Sequence, residues 1–428
     1  MSENLGSSTP SPGAFGDTRS NGLISQWGGK FALFFTYMHL SHDLITGLLP
    51  ALLPFIRQDM GLSYLQAGFL VSAFSLTAGF SQLFGGWVSD RISKPRAIAI
   101  GLGGVSLSAI AVSFAHSYAM LIVLLIALGV FAGFYHPSAI SALSTQIEVK
   151  KRGRAVALHM LGGSLGFGLG PFAGAIIAST LNWHLAYIIL GMPTLLAAAL
   201  VLTRLKLEPV PEQKNLSPTT QPQPRKPDSV WGVFKPAIGI ISVSVAMQLI
   251  TGPVMSFASL FLTDVHHLSA EAGSMWVSII RLGGLGGNVI GGWLTDRWGR
   301  RNTIFLTLSI FGLVVLLLAR LPFGFALGAA FILFGCLMNM RETTMQTLLM
   351  DNSPPRLRAT IIGIYFSFGQ QGSSIIQPLA GDLMDATGIQ GVFNAIAFVS
   401  IGLSVLAVFF SVKNRKRVDA APTEALKS

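Results

Sequence analysis

The sequence predicts an all-α membrane protein, with twelve transmembrane helices in two six-helix bundles related by pseudo-symmetry. Three observations predict it. Of 428 residues, 51% are hydrophobic and only 11% are charged, against roughly 25% charged in a soluble globular domain. A chain of this length and composition cannot cover itself with a solvated surface. Its apolar residues fall into twelve stretches of about 20 to 25 residues, the length that crosses a bilayer as helix. Finally, a seven-residue pattern recurs: residues 85–91 read GGWVSDR and residues 291–297 read GGWLTDR, each at the end of the second stretch in its half.

Residues 1–28 are rich in Ser, Gly, Pro and Asn and lack the apolar run of a signal peptide; they read as a disordered cytoplasmic tail. Residues 29–204 make the first bundle, with spans near 31–56, 63–88, 96–115, 118–146, 154–178 and 183–204. Residues 205–232 carry six prolines between Pro209 and Pro227 among Glu, Gln, Lys and Thr, the composition of a cytoplasmic linker that cannot build a core. Residues 233–412 make the second bundle, with spans near 234–263, 270–294, 302–319, 322–350, 358–382 and 389–412. Residues 413–428 form a basic cytoplasmic tail. Helix is expected in every span, because backbone facing lipid must satisfy its own hydrogen bonds.

The formal net charge is +11, from 29 Lys+Arg against 18 Asp+Glu. Twenty-five of the basic residues fall on the side of the termini and linker, and two, Arg57 and Arg320, on the other; Arg281 and Arg341 lie inside spans. That asymmetry predicts a plasma (inner) membrane protein with both termini cytoplasmic. It also accounts for the positive charge, so nucleic acid is excluded as a partner. Cys336 is the only cysteine, which excludes an internal disulfide and a thiolate zinc cluster. The chain has no Gly-Lys-Ser/Thr phosphate loop, no His-Glu-x-x-His helix and no Gly-x-Ser-x-Gly elbow. An ATP-driven pump and a membrane enzyme are therefore disfavoured, no cofactor or metal is expected, and no long folded segment suggests a receptor.

The pattern Gly-x-x-x-Asp-Arg-x-Gly-basic-basic is complete in Gly292, Asp296, Arg297, Gly299, Arg300 and Arg301. It is partial in Gly86, Asp90, Arg91 and Lys94, where Ser93 and Pro95 depart from it. This loop resembles the signature of the major facilitator superfamily, and the resemblance covers about 30 to 412. It implies a cytoplasmic gate made of Gly86, Asp90, Arg91, Gly292, Asp296, Arg297 and Arg300. Asp90, held by Arg91, would meet the start of the eleventh span, and Asp296 with Arg297 the start of the fifth near Arg152. His39-x-x-x-Asp43, Ala51-x-x-Pro54 and Tyr135-His136-Pro137 resemble the fosmidomycin-resistance branch of drug exporters. Gly166-x-x-x-Gly170-Pro171-x-x-Gly174 is similar to an element of drug:proton antiporters, although Ala157 and Ala175 stand where that element has glycines. Gly129 stands near the place of an arginine common in proton-coupled exporters.

Only two acids lie well inside a span, Asp43 and Glu342. A charge there costs about 2.5 to 3.5 kcal/mol or more, so it meets a partner or a water-filled cavity. His39 and Asp43 share one helical face and, with His136, are the candidate proton-coupling residues; a structural hydrogen bond between helices is the alternative. At the repeat offset, Glu342 corresponds to His136. Arg281, Arg341, Glu342 and Gln370 are candidate substrate-binding residues, the arginines suiting an anion; a structural Arg281–Glu342 bridge is the alternative. His159 reads as a capping or snorkelling residue, and His266 and His267 as exposed. Gly166, Gly170, Pro171 and Gly174 read as helix-packing residues. Together these predict a secondary active transporter that couples protons to efflux of a small amphiphilic or anionic compound and is functional as a monomer in the lipid bilayer. The alternative is import of a small metabolite by proton symport or uniport.

Overall fold

The computed structural model describes residues 23–89, 91–205, 207, 230–351, 365 and 371–419. The helices are α1 (Leu23–Gln26), α2 (Gly29–Thr46), α3 (Leu49–Met60), α4 (Tyr64–Ser89), α5 (Lys94–Val112), α6 (Tyr118–Gln146) and α7 (Val149–Thr180). They continue with α8 (Trp183–Arg204), α9 (Val230–Asp264), α10 (Ala270–Trp298), α11 (Arg300–Arg320), α12 (Phe325–Asp351), α13 (Gly372–Thr387) and α14 (Ile389–Asp419). Among the described residues, nine of these are long and apolar enough to cross a membrane. Most of the expected tail and linker lies outside the described residues.

Helix starts follow local chemistry. Ser117, Asn182 and Ser269 accept a hydrogen bond from the backbone N–H three residues on, at 3.3, 2.8 and 3.2 Å, and so satisfy a donor the helix cannot. The first span, expected as one helix, is two. Gly47 and Leu48 separate α2 from α3, and Pro50 falls in the first turn of α3, where its missing N–H leaves no bond unmade. The fifth span also begins earlier than expected: α7 is helical from Val149, so its basic run extends the helix.

The duplication is visible in the packing. In the first half α2 packs on α7, α4 on α6, and α5 on both α6 and α8; in the second α9 packs on α13, α10 on α12, and α11 on both α12 and α14. These are equivalent pairs of the two halves. The halves meet through α4 with α13 and α7 with α10, again a symmetric pair, and through α3 with α9 and α10.

Among the described residues, the hydrogen bonds and ion pairs between the halves gather toward the end that carries Arg57. Arg57 Nη1 lies 2.5 Å from Asp264 Oδ2, and the Tyr64 hydroxyl donates to the same oxygen. Asp385 accepts the N–H groups of Tyr64 and Leu65, each at 2.9 Å. Ser259 Oγ donates to the Pro50 carbonyl at 2.6 Å, and Ser274 Oγ to that of Ala51. The halves are closed against each other at the Arg57 end.

Candidate functional site

A polar centre sits inside the first bundle, where α2, α6 and α7 meet. Along α7, Gly162, Gly166, Gly170 and Gly174 recur every fourth residue and face residues 36, 40, 44 and 48 of the first span. A Cβ at these glycines would stand 2.3 Å from the Thr36 carbonyl oxygen, 2.5 Å from that of Leu40, 2.3 Å from that of Leu44 and 2.2 Å from Leu48 Cδ1. Only glycine allows this approach. Gly163, one residue off the seam, leaves the space that His39 and Asp43 fill: a Cβ there would lie 2.4 Å from His39 Nε2 and 2.8 Å from Asp43 Oδ2. Pro171 lies within α7, which runs helically through it.

Asp43 is 1% exposed and surrounded by imidazoles. His42 Nδ1 approaches its Oδ1 to 2.6 Å, and Thr46 donates to the same oxygen at 3.2 Å. His39 Nε2 lies 3.2 Å from Oδ2. The His39 ring stacks on His159 with centroids 4.2 Å apart, and His136 lies 5.1 Å from His39 and 4.8 Å from His42. Tyr135 stacks on His42 at 4.8 Å. His42 and His159 carry weight in this cluster that their sequence positions did not suggest. His159, expected at the helix end, is fully buried, with Nδ1 3.0 Å from the Phe35 carbonyl oxygen.

Backbone carbonyls fix the tautomers, since a carbonyl can only accept. His39 Nδ1 faces the His159 carbonyl oxygen at 2.8 Å, so that nitrogen carries a hydrogen. The other ring nitrogen then meets Asp43 through one exchangeable proton. With it, the contact is an imidazolium on a carboxylate, or a neutral imidazole accepting from a carboxylic acid. Without it, a lone pair faces a carboxylate and the contact repels. The donor atoms of His39, Asp43 and His136 lie within 4.8 Å of one another. Both Asp43 oxygens face imidazole nitrogens as well.

The second half holds its charges differently. Arg341 is fully buried; its Nη2 lies 3.7 Å from Glu342 Oε2, and its nitrogens have no hydrogen-bond partner among the described residues. Glu342 Oε1 accepts from the Tyr365 hydroxyl and from Gln346 Nε2, each at 3.0 Å. Among the described residues Glu342 is thus bonded from α12 and by Tyr365, with no ion pair to Arg281. Arg281 stands on the seam between the halves, its guanidinium carbon 5.2 Å from the Phe167 ring centroid of α7. Contacts of α10 with α12 run at a constant offset of 49 residues, as in Gly287 with Cys336 and Thr295 with Thr344. Arg341 is therefore level with Gly292, about 16 Å along the helix from Arg281, and the two arginines cannot clamp one small anion.

At the end opposite Arg57, Arg91 lies over the Trp87 ring at 3.7 Å and Arg297 over Trp293 at 5.4 Å. Arg91 thus rests on an indole here. Arg300 pairs with Asp351, and Asp296 is exposed. Gly86 and Gly292 have open space where a side chain would stand, the nearest atom to Gly86 being 3.9 Å away. Asp90 and Gln370 lie outside the described residues. His266, expected exposed, is partly covered by Phe261 and Phe323; burial and the neighbouring His267 lower its pKa.

Residues 31–378 match the family model described as Major Facilitator Superfamily. The fosmidomycin resistance protein of Escherichia coli (strain K12) is 22% identical over 387 residues, covering 88% of this chain and 92% of that protein. The benzoate transport protein of Acinetobacter baylyi is 22% identical over 409 residues, covering 86% of each. Among solved structures, a bacterial homologue of the human lysosomal transporter Spinster, inward-facing and unoccupied, superposes with a TM-score of 0.75. It is 15% identical, with coverage of 92% of this chain and 98% of that one.

Proposed function

This chain belongs to the Major Facilitator Superfamily and is a secondary transporter, and we propose that protons exchanged at Asp43 drive its transport of a small organic molecule. The observation that carries this reading is the His39–Asp43 contact, with Nδ1 of His39 committed to a carbonyl and Nε2 3.2 Å from the carboxylate. Binding one proton makes the contact attractive and losing it makes the contact repulsive. A buried pair of this kind biases the position of α2 against α7 according to its protonation, which is the two-state element that alternating access requires. His42, Tyr135, His136 and His159 surround the pair, and the imidazoles offer a route for the proton.

The excess of basic residues at the end of the linker and termini supports placing that end in the cytoplasm. The Arg57 end is then outside, and its closure corresponds to a cytoplasm-facing state. The Asp90 and Asp296 loops, with their arginines, are read as the cytoplasmic gate. Gly166, Gly170, Pro171 and Gly174 are read as the packing seam.

Two directions of transport differ in one thermodynamic sign. Efflux by antiport requires proton and substrate to compete; uptake by symport requires them to bind together. Everted membrane vesicles and a panel of acidic, neutral and basic compounds test the coupling. Accumulation of a panel compound is expected to need a pH gradient in the wild type, of either polarity, and to vanish when a protonophore collapses it. Accumulation that survives collapse would remove the proton-coupled reading.

A further inference from the structure

Arg281 is the charged side chain whose placement the proton cycle leaves unexplained. It lies on α10 where this helix crosses α7, half-buried, with its guanidinium against Phe167 and its Nε buried without a hydrogen-bond partner among the described residues. The next residue, Leu282, fills the hollow at Gly168: a Cβ there would come 2.5 Å from Leu282 Cδ2. Phe167 in turn presses on Gly47, where a Cβ would lie 2.6 Å from its ring. The Gly47 N–H donates to the Asp43 carbonyl oxygen at 3.2 Å. Arg281, Phe167 and the end of α2 therefore form one contact chain across the seam, which ends four residues from Asp43.

We infer that Arg281 is the anchor of an organic anion, and that this anion binds cooperatively with the proton of the His39–Asp43 pair. This inference rests on the proton-coupled reading and names its substrate class. A half-buried guanidinium whose Nε has no acceptor among the described residues is suited to an anion. Phe167 beside it offers an apolar face, so the ligand is a carboxylate or sulfonate on a small hydrophobic body. The sign of the linkage follows from charge alone. The deprotonated His39–Asp43 pair, net negative, competes with an incoming anion for the field of Arg281 and repels it; the protonated pair, net neutral, does neither. Anion and proton thus favour each other's binding, the condition for symport, and a bound anion raises proton affinity by the same factor as the proton raises anion affinity. The titratable groups clustered around Asp43 are His39 and His42 on α2, Tyr135 and His136 on α6 and His159 on α7; Arg281 on α10 is joined to them through Phe167 and Gly47. Among these groups the guanidinium alone carries a charge that deprotonation does not remove. Arg341 is unsuited to the role: it is sealed inside the second bundle beside Glu342, about three turns away.

Benzenesulfonate, which stays anionic from pH 5 to 8, separates protein titration from ligand titration. Its binding to the purified full-length protein in nanodiscs, by calorimetry, is expected to tighten by up to about tenfold for each unit of falling pH while the His39–Asp43 pair takes up its proton. Asp43→Asn should give tight binding with most of the pH slope lost, and Arg281→Gln should weaken binding about tenfold or more. Neutral benzamide should bind weakly and without pH dependence. Absence of benzenesulfonate binding, equal binding of benzamide, or affinity that rises with pH would each overturn the inference. If Arg281→Gln is unstable, Arg281→Lys substitutes: it keeps the charge and should keep the pH slope with reduced affinity, and loss of the slope would count against the linkage. Failure here with gradient-driven transport intact would leave the proton-coupled reading standing.

Discussion

In the first bundle Asp43 faces His39, His42 and Thr46, whereas at the equivalent depth of the second bundle Glu342 is held by Tyr365 and Gln346 beside Arg341. The scaffold around the two sites is a duplicate, with the same pairs of helices in contact. The chemistry is not. Imidazoles change charge near neutral pH, while a phenol, an amide and a guanidinium do not. Duplication thus supplied two equivalent frames, one lined by imidazoles and the other, among the described residues, by a phenol, an amide and a guanidinium. The lesson is that pseudo-symmetry predicts where a buried polar group sits, and the identity of its neighbours decides what it does.

The sharpest way to break this comparison is to neutralise each carboxylate in turn. Asp43→Asn is expected to abolish accumulation driven by a pH gradient in proteoliposomes while substrate counterflow continues. Glu342→Gln should retain gradient-driven accumulation, with less folded protein recovered. Loss of coupling in Glu342→Gln alone would move the proton to the second bundle. The next largest effect concerns the frame. Gly166→Ala and Gly170→Ala put a methyl group against backbone carbonyls and should each destabilise the protein by about 1 to 3 kcal/mol, read as a lower melting temperature in detergent. Gly292→Ala, with nothing within 4 Å, should leave it unchanged; equal losses in all three would mean the seam has no special role.

A smaller effect is expected where the halves touch. Asp385→Asn weakens the cap that the second half supplies to α4, worth about 0.5 to 2 kcal/mol, and should increase opening at the Arg57 end by about twofold to thirtyfold. The alkylation rate of Leu260→Cys in a Cys336→Ser background measures it; an unchanged rate would show that the contact follows closure without stabilising it. The smallest effect belongs to His159→Gln. The group that fixes His39 is the His159 backbone carbonyl, which this substitution keeps, so gradient-driven transport should persist within about twofold, about 0.4 kcal/mol. A loss comparable to that of Asp43→Asn would make His159 a proton carrier in its own right.

Much of this was legible in the sequence. The recurrence of Gly-Gly-Trp at residues 85–87 and 291–293 marks the duplication, and the His39–Asp43 spacing places both on one face. Two members of the cluster were not legible, for physical reasons. His42 adjoins Asp43 in sequence, and adjacent helical side chains point about 100° apart; it reaches the carboxylate because its Nδ1 lies on the near side of the ring. His159 was assigned to a helix end because Lys150, Lys151, Arg152, Gly153 and Arg154 look like a loop. They are the first turns of α7, which puts His159 ten residues, about 15 Å, inside the helix. The division of labour between Arg281 and Arg341 needed three dimensions: both are lone arginines in apolar spans, and only the register of α10 on α12 shows which one lies at the seam.

The cap that Asp385 places on α4 has a dynamic consequence. A helix whose first amides are satisfied by its own residues keeps them satisfied whatever the rest of the protein does. The amides of Tyr64 and Leu65 instead borrow their acceptors from the other half of the molecule, 320 residues along the chain, and must surrender them to water each time the two halves part. Hydrogen–deuterium exchange at these two positions therefore keeps time with the transport cycle, accelerating with turnover while the amides deeper in α4 stay protected.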